Sequence, residues 1–289
     1  MTIIKVPATT ANLGPGFDSI GMALSLYLEL EILEAADHWY IEHDLGSDIP
    51  HGEENLVIQI ALSLKKDLPP HRMKMTSEIP STRGLGSSSA AIVAGIELAV
   101  WLGDLSLTND EKIQIASKAE GHPDNVMPAI VGDCAVGAML EDDVRWMQLK
   151  FPEVSVIVTV PNRKLLTADS RSVLPESLSL ATAVKGSSVG NMLIAAISQG
   201  DLALIGYLME QDVFHEPYRS SLIPELSQVR KIAHEANAYG TYLSGAGTTI
   251  ITLTTKEKEV ALLKRLQAEL VDCDVFLTTI DRKGAQIIS

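Results

Sequence analysis

The chain has 289 residues, 46% of them apolar and only 4% aromatic, so it is long enough for two domains with aliphatic interiors. A formal net charge of −14 weighs against nucleic acid or anionic membrane surfaces as partners, since both are bound through basic patches. Cys134 and Cys273 have no second cysteine or histidine at metal-ligand spacing and read as buried thiols of a reducing compartment, the cytoplasm. The opening stretch from Met1 to Pro7 lacks the length of a secretion signal's apolar region. Over 22–33, Leu24, Leu26, Leu28, Leu30 and Ile32 alternate with Ser25, Tyr27, Glu29 and Glu31, which predicts a long half-buried strand. Leu56, Val57, Ile60, Ala61 and Leu64 form one helical stripe over 55–64. Met73, Met75 and Ile79 predict a strand running into a glycine turn. The apolar run from Ala90 to Leu102 predicts the helix after it; Glu97 interrupts the run, and it is too short to span a bilayer. Thr108 with Glu111 reads as a capping box that opens a helix to about Glu120. Strands are expected at 132–140 and 154–160, with Glu141, Asp142 and Asp143 as the turn between them. Helices follow at 188–198, 201–211 and 224–237, then strands at 240–243 and 249–254, a helix at 257–270 and a strand at 275–280. Mixed helices and hairpin-like strands indicate an α+β fold, with no repeat or low-complexity linker.

The strongest chemical signal is Pro80-Ser81-Thr82-Arg83-Gly84-Leu85-Gly86-Ser87-Ser88-Ser89-Ala90, a hydroxyl-rich turn opening directly into an apolar helix. The first N–H groups of such a helix are unpaired, and the helix dipole adds partial positive charge, so the spot favours an anion such as phosphate. Gly84 and Gly86 permit unusual dihedrals and close backbone approach. Neither G-x-x-x-x-G-K-[ST] nor G-x-G-x-x-G occurs in the chain. The plainer alternative is that Ser87 is only a helix N-cap.

The pattern Pro80-x-x-x-Gly84-Leu85-Gly86-Ser87-Ser88-x-Ala90 resembles the central motif of the GHMP kinases, which act on galactose, homoserine, mevalonate and phosphomevalonate. Residues 7–18 (Pro-Ala-Thr-Thr-Ala-Asn-Leu-Gly-Pro-Gly-Phe-Asp) and 243–249 (Leu-Ser-Gly-Ala-Gly-Thr-Thr) are similar to two further motifs of that superfamily. Within it, residues 7–18, Glu120-Gly121-His122-Pro123-Asp124-Asn125 and His215-Glu216-Pro217-Tyr218-Arg219 resemble the homoserine kinase branch. The likeness runs from residue 3 to about 280. It implies an N-terminal ATP-binding domain over 1–150, similar to domain 2 of ribosomal protein S5, and a ferredoxin-like C-terminal domain over 151–289. The site would lie between them.

The implied reaction is ATP-dependent phosphorylation of the side-chain hydroxyl of L-homoserine, assisted by Mg²⁺. The resemblance implies that residues 80–90 cradle the ATP phosphates, that Gly245, Ala246 and Gly247 close over them, and that Asn55 lies on the adenine side. The ordinary alternative for Asn55 is a helix N-cap. Ser88 and Glu120 match the metal-binding pair, although Glu120 alone reads as a solvated helix-end acid. Arg171 and Arg219 are expected at the homoserine carboxylate, where guanidinium geometry suits a carboxylate better than lysine does. Either arginine taken alone would read as half of a surface ion pair. Asp18 would hold the ammonium with Asn12 nearby, Asn125 would touch the reacting hydroxyl, and His122 and Thr167 would line the pocket. Asp124 would buttress the loop, leaving transfer without a dedicated base. Ser89 would cap the helix. Thr248 stands where many relatives have proline. A homodimer is a family expectation. The competing readings are a kinase for another small alcohol, such as mevalonate, and a catalytically silent ligand-binding relative.

Overall fold

The alternating run at 22–33 forms the middle of β2 (Ile20–Ala35) in the computed structural model, which describes the whole chain except Asp142, Lys164, Leu166 and the side chains of Thr167 and Ala168. Both its edges are paired, β1 (Thr2–Ala11) antiparallel on one side and β4 (His71–Ser77) on the other, and its apolar face is buried under the helices that pack on the sheet. β3 (Tyr40–Glu42) runs parallel to β4 at the sheet's edge. β5 (Cys134–Leu140) pairs with the start of β2, and β6 (Asp143–Leu149) pairs with β5. Three helices and a short fourth cover the sheet: α1 (Leu56–Leu64), α2 (Ser87–Gly103), α3 (Asn109–Glu120) and α4 (Val126–Val131). α2 is apolar nearly all round and is therefore buried on most sides. Its one acid, Glu97, is only 4% exposed and pairs through both oxygens with Lys112 of α3 at 2.7 and 2.8 Å.

The second half builds another sheet from β7 (Ser155–Pro161), β8 (Gly240–Leu243), β9 (Ile250–Thr254) and β10 (Cys273–Thr278), in the order β10-β7-β9-β8. Around it lie α5 (Thr167–Ser172), α6 (Leu180–Gln199), α7 (Leu202–Met209), α8 (Glu216–Arg219), α9 (Glu225–Glu235) and α10 (Glu259–Glu269). The last strand, β11 (Gln286–Ile288), returns to the first sheet and pairs with β1. One hydrophobic cluster runs continuously from Ile4 and Leu30 through Val156 and Val158 to Leu193 and Tyr242. A smaller cluster, with Leu226, Val229, Leu262 and Leu266, fills the space under α9 and α10.

The differences from the sequence reading have physical causes. β6 was not expected, because Val144 is its only buried residue and no alternation marks it. Of the expected turn, Glu141 is a turn residue and Asp143 is the first residue of β6, while Asp142 lies outside the described residues. α6 starts eight residues before the expected 188, at a Ser179 N-cap whose hydroxyl accepts from Thr182 N. Its first half is mostly exposed, so no apolar stripe announces it. By length and composition α6 is apolar enough to cross a membrane, with a mean hydropathy of 1.3 and 22% of its apolar window buried. Cys134 is buried, but Cys273 is only half-buried; both are free thiols.

Candidate functional site

The glycine turn meets two other loops at the N-terminus of α2. Thr9 N donates to Leu85 O at 3.1 Å, Thr249 N to Arg83 O at 3.0 Å, and Ser244 Oγ to Gly84 O at 2.6 Å. This crowding is why both glycines are needed. A Cβ on Gly84 would sit 2.3 Å from Ser244 O, and one on Gly86 would sit 2.1 Å from Thr9 Oγ1; both residues also have positive φ. Gly86 is the N-cap of α2, and among the described residues no side chain accepts from the helix's first amides. Ser87 is thus not the cap. Ser89 does not cap the helix either: its hydroxyl, like that of Ser88, donates to Glu120 Oε1 at 2.9 Å. Glu120 ends α3 beside this turn, so the expected metal pair stands together.

The cleft beneath the turn is lined by Asn12, Phe17, Asp18, Thr82, Gly84, Gly86, Ser87, Ser88, Glu120, His122, Asp124, Asn125, Arg171, Arg219 and Gly245 to Gly247. A second, more apolar recess opens on the far side of Ser87 and Ser88, walled by Leu28, Ile49, Pro50, Leu56, Met75 and Ile79. Asn55 lines that recess but is first a helix cap: its Oδ1 accepts from Val57 N at 3.0 Å and its Nδ2 donates to Pro50 O at 2.7 Å. Pro80, Ser81 and Arg83 face a separate groove against Asn162 and Asp274, although Ser81 also borders the recess. Leu85 and Ala90 are buried in the core. They anchor the turn and line neither cavity.

Charges converge at the opposite end. Arg171 Nη1 and Nη2 make a two-pronged pair with Asp18 at 3.2 and 2.9 Å, so in this structure the expected carboxylate and ammonium ligands hold one another. The Asp18 backbone is fixed by Asn12, whose Oδ1 accepts from Asp18 N at 3.1 Å and whose Nδ2 donates to Gly245 O at 3.2 Å. Arg219 is 2% exposed; its Nε donates to Ser170 O and its Nη1 to Gly245 O, each at 3.0 Å. Burial, then the like charge of Arg171, push its guanidinium down to about 10, which leaves it protonated at neutral pH. Asn125 Oδ1 accepts from Thr9 Oγ1 at 2.8 Å. The buried Asp124 carboxylate takes His122 Nδ1 at 2.6 Å and Asn125 Nδ2 at 3.4 Å, which matches a buttress. Burial alone would lower the His122 imidazole, but Asp124, with Asp18 and Glu120 behind it, raises it above the usual histidine value. Ser170 Oγ donates to Ala246 O at 2.7 Å, tying α5 to the 245–247 loop. The side chain of Thr167 lies outside the described residues.

Phe17, Thr9 and His215 were missed as site residues, although each sits inside a motif already singled out. Phe17 lies under both arginines, with its ring centroid 5.8 Å from Arg171 Cζ and 5.4 Å from Arg219 Cζ.

Comparison with known proteins agrees with this geometry. The family model "GHMP kinases N terminal domain" matches residues 55–133 and "GHMP kinases C terminal" matches 193–272. A homoserine kinase of Listeria innocua is 50% identical over 284 residues, covering 98% of this chain and 99% of its own. A solved chain from Listeria monocytogenes, 45% identical, covers both chains completely with a TM-score of 0.90. The crystal structure of homoserine kinase from Cytophaga hutchinsonii, 27% identical, covers 99% of this chain and 97% of its own with a TM-score of 0.86.

Proposed function

The chain belongs to the homoserine kinases of the GHMP family and has their two-domain α+β fold, and on that footing we propose that it transfers the γ-phosphoryl group of ATP to the side-chain hydroxyl of L-homoserine. The observation that carries this reading is the convergence, in one cleft, of a helix N-terminus with uncapped amides and a cluster of opposite charges suited to a zwitterion.

The apolar recess beside Ser87 and Ser88 suits the adenine base, so ATP would cross the turn with its phosphates against the first amides of α2. The 245–247 loop flanks the same space from the other side. Ser88 and Glu120 are the residues that would hold Mg²⁺, an ion that takes few protein oxygens and keeps its waters. They fit it: Glu120 Oε1 already accepts two hydroxyls, and Oε2 has no protein partner among the described residues. When bound, the ion supplies charge neutralisation for the phosphoryl oxygens.

Homoserine carries both signs of charge. Its carboxylate would face Arg171 and Arg219, and its ammonium Asp18 with Asn12 alongside. His122 would form the wall between that end and the turn, with Thr167 from α5. The acceptor hydroxyl would then lie toward Asn125, whose amide is aimed by Thr9 and Asp124. Asp124 is engaged by His122 and Asn125, which supports direct transfer through a loose transition state without a dedicated base. We divide the chain into an ATP-binding domain over 1–150 and a second domain over 151–289, whose strand β11 is lent back to the first sheet, and place the enzyme in the cytoplasm as a homodimer.

The test is substrate choice. With Mg-ATP, purified protein should phosphorylate L-homoserine with a kcat/KM far above that for mevalonate, galactose or L-serine. Comparable values for any of the three would overturn the assignment.

A further inference from the structure

His215 is fully buried, lies outside the acceptor cleft, and has no part in the transfer just described. Its ring is nevertheless fixed at both nitrogens. Nε2 faces the carbonyl oxygen of Gly14 at 2.9 Å, and Nδ1 faces Arg219 Nη1 at 3.2 Å. A carbonyl only accepts and a guanidinium only donates. The ring must therefore be neutral, with its proton on Nε2 and a lone pair on Nδ1 turned toward Arg219. One face of the imidazole stacks on Phe17, centroid to centroid 5.4 Å and tilted by 21°. Phe17 in turn lies beneath both arginines.

The backbone around His215 is held just as closely. Asp212 accepts from the backbone N–H groups of Phe214, His215 and Glu216 at 2.7–2.9 Å. Glu216 fixes α8 to β8 by accepting from Leu243 N at 2.7 Å. With Ser170 O on Nε and with Gly245 O and His215 on Nη1, the guanidinium of Arg219 has one nitrogen, Nη2, without a protein partner among the described residues.

We propose that neutral His215, stacked on Phe17, is a positioning residue that turns the unpaired Nη2 edge of Arg219 toward the carboxylate of the acceptor. This rests on the homoserine reading above. It assigns His215 and Phe17 to acceptor affinity and leaves the nucleotide untouched. A hydrogen bond to a charged partner is worth about one to two powers of ten in affinity, so misaiming Arg219 raises the homoserine KM about tenfold or more.

Two substitutions separate the ring's two contacts. Asparagine can keep an acceptor near the Nδ1 position, and glutamine can keep a donor near the Nε2 position. His215→Gln should raise the homoserine KM about tenfold with the ATP KM unchanged, while His215→Asn recovers most of that loss. In an Arg219→Ala background, His215→Gln should add little more. Equal losses for the two variants, or full additivity with Arg219→Ala, would overturn the proposal. Should the buried variants fail to fold, the half-buried Phe17 carries the test: Phe17→Leu should raise the homoserine KM selectively and Phe17→Tyr should restore it. An unchanged KM in Phe17→Leu would count against the platform. On the wild-type protein, ¹⁵N spectra should show His215 protonated at Nε2 and bare at Nδ1, and the reverse tautomer refutes the inference whatever the substrate. Absence of homoserine turnover in the wild type would instead remove the functional reading on which the inference rests.

Discussion

Arg171 and Asp18 are each more than one third exposed on their side chains, so their ion pair contributes about 0–1 kcal/mol to the fold. Variants at either position should therefore remain folded, which makes them clean probes of the acceptor end. Arg171→Ala and Asp18→Asn are each expected to raise the homoserine KM by about one to two powers of ten, with ATP affinity little altered. Steady-state kinetics in each substrate check this, and an unchanged homoserine KM in both would return the pair to an ordinary surface contact. Ser88→Ala and Glu120→Gln act at the other end of the cleft. Both should lower kcat strongly in folded protein, because the proposed reading has them act on charge that develops only during transfer. His122 makes a prediction about pH. Its folded value is raised above 6.5, so its contribution to stability is fully present below the unfolded value and is lost as pH rises through the folded one. The thermal midpoint should fall across that window, and His122→Asn should flatten the fall. A wild-type midpoint that instead rises there would contradict the assigned Asp124 partnership.

At the scale of elements, the start of α2 and the start of α3 offer a contrast. α3 has a complete capping box: Thr108 Oγ1 accepts from Glu111 N, and Glu111 Oε2 accepts from Thr108 N. Thr108→Ala should cost about 1 kcal/mol in denaturant unfolding and leave turnover alone. α2 begins instead on bare amides behind Gly86 at φ +68°. Gly86→Ala should cost about 1–2 kcal/mol for the left-handed backbone. It should also displace Thr9 Oγ1 from Asn125, so kcat falls with stability; full activity would mean the turn is not the phosphate cradle. Both starts were legible in the sequence, the first as a spaced Thr/Glu pair and the second as glycines before an apolar run. β2, β8 and β9 were legible too, because alternation or an unbroken apolar run marks them. β6, β11 and the exposed half of α6 were not, since they bury too little apolar surface to leave a pattern. The site divides the same way. The family resemblance supplied the candidate ligands, which residue types alone would have read as surface ion pairs and caps, but the mutual grip of Arg171 and Asp18, the partner of Ser89 and the place of His215 depend on contacts between distant segments, which no spacing encodes.

At the scale of the whole molecule, the second half returns to the first. Residues 279–288 cross back over the first sheet: Ser25 N donates to Thr279 O, Asp281 N to Ala23 O, Asp133 N to Asp281 O, and Ile287 sits opposite Ile4. Arg282 joins Asp133 Oδ1 at 2.6 Å, Phe151 O at 2.8 Å and Glu153 at 2.9 Å. Deleting residues 284–289 strips β11 from β1 and removes Gly284 from its seat, where even a Cβ would lie 2.2 Å from Ile130 O. The truncated protein should melt several degrees lower and aggregate more readily, because β1 becomes an open edge; an unchanged melting curve would show the seam to be ornamental. A chain emerging from the ribosome N-terminus first has made its glycine turn, Asn125 and the acid of Glu120 long before residue 288 exists. The first sheet then waits with one border unsewn until residues 286–288 have been made, so the opening half reaches its final form only after the second half has been synthesised. Slow synthesis of that second half therefore prolongs the life of an open β1 edge.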